Sequence, residues 1–238
     1  MTLRSGSSRL KELMERSRAL RRRRVETGEL PAARRVLAEW QSQRLARTYA
    51  DFSAQPRYRP VVDFFLNDLY GPVDFRQRDA DVERVYPVMA RVLSGQALAT
   101  IDAALELHAL SDELDARMVE ILTGELGMTD RLDEQAYAEA FRRCGQRASR
   151  QRQVDLVVEL GRTLDAVVHH PVTYATLLAA RLPARLAGFG ELQDFLERGV
   201  RAFRHMHGAE KFIAAVDARE RRMLEQIFAG APPAEWGA

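Results

Sequence analysis

The sequence predicts an all-α protein, a single bundle of about eight to ten helices preceded by a basic helical arm. Three observations predict it. Apolar residues recur at three- and four-residue spacing along nearly all of the 238 residues, period-two alternation is nearly absent, and the breaks fall at Gly and Pro. At 46% hydrophobic residues there is enough apolar surface to bury a core. No Pro/Gly/Ser-rich linker divides the middle. The expected organisation is therefore an arm over residues 1–30, one helical domain over 31–230 and a flexible tail over 231–238.

Residues 8–26 can form a helix with Leu10, Leu13, Met14 and Leu20 on one side. Pro31 suits the first turn of a second helix, where its missing N–H costs nothing. That helix carries Leu37, Trp40, Leu45, Tyr49 and Phe52. Pro56 and Pro60 interrupt, and a short aromatic helix runs from about Val61 to Tyr70, stopped by Gly71 and Pro72. Asp74 is placed as an N-cap with Gln77 as its capping-box partner, opening a helix to about Leu93. A long helix runs next, from Gln96 to about Leu126. Further helices fit 133–147, 150–169, 171–187, 190–207 and 209–229. The last two carry clear apolar stripes, Leu192, Phe195, Leu196, Gly199, Phe203 and Met206 on one, and Phe212, Ile213, Val216, Leu224, Ile227 and Phe228 on the other. The closing Pro/Gly-rich segment from Ala231 cannot continue a helix. No fixed-period repeat occurs, which weighs against a solenoid.

The net charge of +2 hides an asymmetry. Residues 1–24 carry nine basic and two acidic side chains, so the rest of the chain totals −5. Only Lys11 and Lys211 are lysine and only Asn67 is asparagine. This is the skew of a GC-rich bacterial genome, so the abundance of arginine is no argument for phosphate recognition. Cys144 is the only cysteine, which excludes an intrachain disulfide and fits a reducing compartment. The basic N-terminus lacks the apolar run of a secretory signal, and no stretch approaches the roughly 18 apolar residues of a membrane span. A cytoplasmic protein without a transmembrane segment is expected.

The densest chemistry lies in the run Phe64-Phe-Leu-Asn-Asp-Leu-Tyr-Gly-Pro-Val-Asp-Phe-Arg-Gln-Arg-Asp-Ala-Asp-Val-Glu-Arg84, with five acidic residues, three arginines and four aromatics. On a helix Asp68 shares a face with Val61, Phe64 and Phe65, so its carboxylate needs a partner or a site. Asp68, Tyr70, Asp79 and Arg84 form a candidate polar pocket. The structural alternative, a helix end tied to its neighbour, is the commoner use of such residues. This run, FFLNDLYGPVDFRQRDADVER, resembles the signature segment of an uncharacterised family of bacterial helical proteins, a domain of unknown function. The resemblance is strongest over residues 61–90 and extends weakly through LQDFLERGVRAFRHMHGAEKF. It implies an all-α fold and a bacterial source, and it brings no activity with it.

Two histidines stand one turn from an aspartate, His108 with Asp112 and Asp165 with His169, each at i, i+4. Facing each other, the two helices can offer all four side chains to a divalent metal. Against this, no Glu-x-x-His or His-Glu-x-x-His pair occurs, and Leu107, Leu110, Leu114, Met118 and Ile121 form a richer core stripe with His108 and Asp112 at its edge. A His–Asp surface pair is the default, and no cofactor is expected. No nucleotide-binding glycine loop and no nucleophile elbow is present. Cys144 comes after two arginines but has no histidine near in sequence, and an inert thiol is expected. Arg21, Arg22, Arg23 and Arg24 can bind phosphate groups, yet no aromatic residue interleaves them. The expected function is thus a non-catalytic interaction or regulatory protein, with a homodimer among its partners. Two alternatives stay open, a ligand- or metal-binding bundle with a pocket around Asp68–Arg84, and nucleic-acid binding through the arm.

Overall fold

A computed structural model describes residues 31–69, Arg84 and 95–236. The arm with Arg21–Arg24, the helix expected from Asp74, and the candidate residues Tyr70 and Asp79 lie outside the described residues. The protein is all-α, with ten α-helices and no strand among the described residues. They are α1 (Pro31–Thr48), α2 (Ala50–Ser53), α3 (Arg59–Phe64), α4 (Gly95–Gly124), α5 (Glu134–Cys144), α6 (Arg147–Val168), α7 (Pro171–Ala179), α8 (Arg181–Leu186), α9 (Gly190–His205) and α10 (Glu210–Phe228). A π turn over Phe65–Leu69 continues α3, and a 3-10 turn over Pro233–Glu235 comes after α10. No helix among the described residues is long and apolar enough to cross a membrane.

Local chemistry explains most helix boundaries. Pro31 opens α1, and Pro60 sits in the first turn of α3. Asp133, read from the sequence as the first helical residue, is the N-cap of α5, and its side chain accepts from the Ala136 N–H at 2.7 Å. Gly145 ends that helix in the left-handed conformation at φ 64°. The helix expected over 171–187 is two helices. Pro183 has no N–H to give the Ala179 carbonyl, and the chain breaks at Ala180 between α7 and α8.

The chain divides into two compact units. The first is drawn from Met1–Gln41, Ala99–Val158 and Ala215–Ala238. Its core joins Leu37 and Trp40 of α1, Met118, Ile121 and Leu122 of α4, Tyr137 and Phe141 of α5, and Met223 and Ile227 of α10. The Trp40 and Tyr137 rings stack with centroids 3.8 Å apart. Leu110, Leu114, Met118 and Ile121, from the stripe read in the sequence, are buried along α4. Trp236, beyond α10, packs against this core, and its indole N–H donates to the Ala231 carbonyl at 3.1 Å.

The second unit comprises Ser42–Leu98 and Glu159–Ala214. Its core is aromatic. Phe212 of α10 meets Tyr49, Phe52, Tyr58 and Phe65, with ring centroids 5.3–6.4 Å away. The ring of Phe64 lies on α9 at Gly199, where a Cβ would stand 2.8 Å from its Cζ, so glycine is what permits this approach. Arg57 ties the end of α9 to the loop before α3, donating to the carbonyls of Met206 at 2.6 Å, Gly208 at 3.1 Å and His207 at 3.3 Å. Those are carbonyls that no helical N–H can reach.

Candidate functional site

Asp68 enters the π turn at the end of α3 and meets Arg198 of α9. Nε and Nη2 of Arg198 both donate to Asp68 Oδ1, at 2.9 and 2.6 Å. The partner that a carboxylate on this face requires therefore comes from 130 residues away in the chain. Arg84, from the same candidate pocket, lies with its guanidinium carbon 4.8 Å from the Phe189 ring centroid, at the start of α9. The structure thus places Asp68 and Arg84 on residues that flank or form α9.

The four residues of the candidate metal site divide between the two compact units, His108 and Asp112 in the first, Asp165 and His169 in the second. Asp112, only 9% exposed on α4, is paired with Arg34 of α1. His108 is half-buried one turn before it. Asp165 and His169 belong to the other compact unit. There the His169 ring donates from Nδ1 to the Asp165 carbonyl at 2.8 Å, and the Asp165 carboxylate is 3.6 Å from the same nitrogen. Among the described residues no group of three or more His, Cys, Asp or Glu side chains can hold a metal ion. Within its own unit Asp112 is turned toward an arginine of α1, and the His169 ring is bonded at its own helix terminus.

A denser polar arrangement, not singled out from the sequence, surrounds Glu197 of α9. Its two carboxylate oxygens accept from Arg181 of α8, Nε at 2.8 Å and Nη2 at 2.5 Å, in the side-on fork geometry. Oε1 also accepts from Gln193 Nε2 at 3.0 Å, and Gln193 in turn donates to the Leu177 carbonyl of α7 at 2.7 Å. Arg201 stands one turn further on, 3.9 Å from Oε2. A second pair joins the same two helices, Arg185 of α8 with Asp194 of α9 at 3.1 Å. Hydrogen bonds from Arg181 first, and from Gln193 next, lower the Glu197 carboxyl from an ordinary 4.5 to about 2. The only local trace of this network is the four-residue spacing of Gln193, Glu197 and Arg201, which puts them on one helix face.

What α8 does with this anchorage is unusual. None of its residues is buried. Leu182 and Leu186, one turn apart and so on one face, are 66% and 80% exposed. Val172 at the start of α7 is 62% exposed, and Leu196 of α9 is 37% exposed. A six-residue helix without fully buried residues gains little from packing, and one this short is not stable alone. Two arginine–carboxylate pairs to α9 hold it in place while its leucines face outward.

Two reactive groups among the described residues, Glu197 and Cys144, are occupied or insulated. Glu197 stays anionic across the working pH range with both oxygens engaged, which leaves it no proton to give and no free lone pair aimed at a substrate. Burial pushes the Cys144 thiol up, against the weaker pull of Arg150 and Arg117, and a protonated thiol is a poor nucleophile. Residues 20–234 match a family described as a domain of unknown function, DUF8198. No curated protein and no solved structure matches the chain.

Proposed function

From the premise that this chain belongs to the DUF8198 family of domains of unknown function, we propose that it is a non-catalytic interaction protein that presents α8 to an apolar protein surface. The observation that carries the reading is the pairing of exposure with anchorage. Leu182 and Leu186 stand in solvent, while Arg181 and Arg185 clamp the helix that bears them. Scattered exposed leucines are ordinary on protein surfaces. Two on one face of a helix that buries nothing are the pattern of a recognition helix read at i and i+4. The engaged carboxylates around it support the non-catalytic part of the reading.

The partner fitting this face is a second apolar helix or groove, another copy of the chain included. Its polar rim is neutralised from within, because both arginines already have carboxylates, so charge steering contributes little and burial of leucine supplies the affinity. The test compares the wild type with the double variant L182D/L186D. Circular dichroism and thermal melting are expected to be unchanged, since no buried contact is lost. Sedimentation velocity over micromolar concentrations, and cross-linking with the wild-type chain as bait, are expected to show an association that the double variant lacks. A wild type that stays monomeric and captures nothing that the double variant does not also capture overturns the proposal.

A further inference from the structure

Three charged side chains are buried among the described residues: Asp112, Glu197 and Arg150. The first two have arginine partners. Arg150, in the first turn of α6 and only 5% exposed, has no carboxylate partner among the described residues. Its Nη1 donates to Gln153 Oε1 at a long 3.3 Å, and its guanidinium carbon lies 4.5 Å from the centroid of the Phe141 ring of α5. Nε and Nη2 are closed to solvent and meet no acceptor among the described residues. A guanidinium cannot escape burial by losing its proton, as a lysine can, so the charge persists. The face of an aromatic ring and one amide oxygen offset only part of what water would have given.

The two idle donors are the ones that matter. Nε and Nη2 form the side-on edge of the guanidinium, two parallel N–H bonds spaced for two oxygens of one planar group. Elsewhere the protein uses this edge on carboxylates. Arg152, two residues on, holds Glu106 through Nε at 2.9 Å and Nη2 at 3.1 Å. Arg181 and Arg198 hold Glu197 and Asp68 through the same pair of atoms. At Arg150 the edge is equally formed, and Phe141 covers one face of the guanidinium while Nε and Nη2 meet no described acceptor. The other polar group nearby is already committed, since Gln153 Nε2 donates to Ser111 Oγ at 2.8 Å.

We propose that Arg150 is the anchor of a binding site for a small carboxylic acid, received as its carboxylate on Nε and Nη2. A planar monoanion with two oxygens is satisfied by this edge alone. A phosphate would bring further oxygens to a place where the nearest amide donor is already spent. The fork is closed to solvent, so the acid is small, and its entry accompanies local opening near the Gly145–Gln146 turn between α5 and α6. This site lies in the first unit and stands or falls independently of the α8 face, which is in the second.

Acetate is the probe. Thermal melts of the full chain are compared in sodium acetate, chloride and phosphate at matched ionic strength and pH, for the wild type, R150M and R150K. In chloride R150M melts at or above the wild type, because a buried unpaired charge has been replaced by a hydrophobic side chain of similar length. Acetate raises the wild-type Tm by roughly 3–6 °C for each tenfold increase above its Kd, and leaves R150M unmoved. R150K, which keeps the charge and loses the fork, loses most of the acetate response. The Nε–Hε resonance of Arg150, identified by its absence in R150K, shifts on acetate titration. The proposal is overturned if chloride stabilises the wild type as much as acetate does, if R150M keeps the acetate response, or if phosphate and not acetate produces it.

Discussion

Replacing Glu197 with glutamine removes the charge that Arg181 grips while keeping the shape of the side chain and an oxygen for Gln193 to donate to. The magnitude comes from the carboxyl itself. It is held at about 2 in the folded protein against an ordinary 4.5, and at about 1.4 kcal/mol per pH unit that difference is worth roughly 3 kcal/mol. Arg181 is 44% exposed, so solvent screens part of the attraction, and about 1–2 kcal/mol is the expected loss in E197Q at pH 7. The sign of the pH dependence is set by the depressed value. The ionised carboxylate stabilises the fold fully above about 4.5, and that stabilisation fades as pH falls through about 2, where the folded carboxyl takes up its proton. Urea unfolding of wild type and E197Q at half-unit pH steps measures it. The gap between the two curves is expected to be constant from pH 7 to about 5, to narrow below 4.5 and to close near 2. A gap that persists unchanged at pH 2, or no gap at pH 7, would refute the assignment of this ion pair as the clamp on α8.

Other outcomes rest on the packing. G199A places a methyl group 2.8 Å from the Phe64 ring, which is itself buried against Phe195, and an overpacked contact of this kind is expected to cost about 1–3 kcal/mol in urea unfolding. A loss under about 0.5 kcal/mol would mean that the ring moves aside freely. D133A removes the cap on the Ala136 N–H and is expected to cost about 1 kcal/mol, while D133S restores most of it. Equal stability of the alanine and serine variants would show that the cap contributes nothing.

Much of the fold is legible in the sequence because helices announce themselves through nearest neighbours on one face. The α4 stripe from Leu110 to Ile121 and the α9 and α10 stripes require only periodicity, and Pro31, Pro60 and Gly145 mark ends through their own backbone chemistry. The break at Ala180 escapes that reading because Pro183 acts three to four residues upstream, on a carbonyl rather than on its own position. The candidate sites are harder. The need for a partner at Asp68 can be inferred from its apolar face, but no local rule finds Arg198. His108 and Asp112 satisfy a spacing that suits a metal, and only the fold shows that Arg34 claims the aspartate. Arg150 looks, in sequence, like any arginine in a polar first turn. Its burial depends on Phe141 and on how α5 returns against α6. Leu182 and Leu186 fit an amphipathic helix equally well whether their side is covered or bare, and periodicity alone does not distinguish the two.

The Asp68 contact depends on spacing along the chain across the π turn at Phe65–Leu69. A turn of this kind takes one residue more than an α turn in nearly the same rise. Phe64, before the turn, faces Gly199, and Asp68, within it, faces Arg198, the neighbouring residue on α9. Residues four apart share a side of the helix, so the spacing of ring and carboxylate is what lets a greasy anchor and a charged one seize adjacent positions of the same opposing helix, and chain length in this stretch is as much a part of the contact as the identities of the side chains.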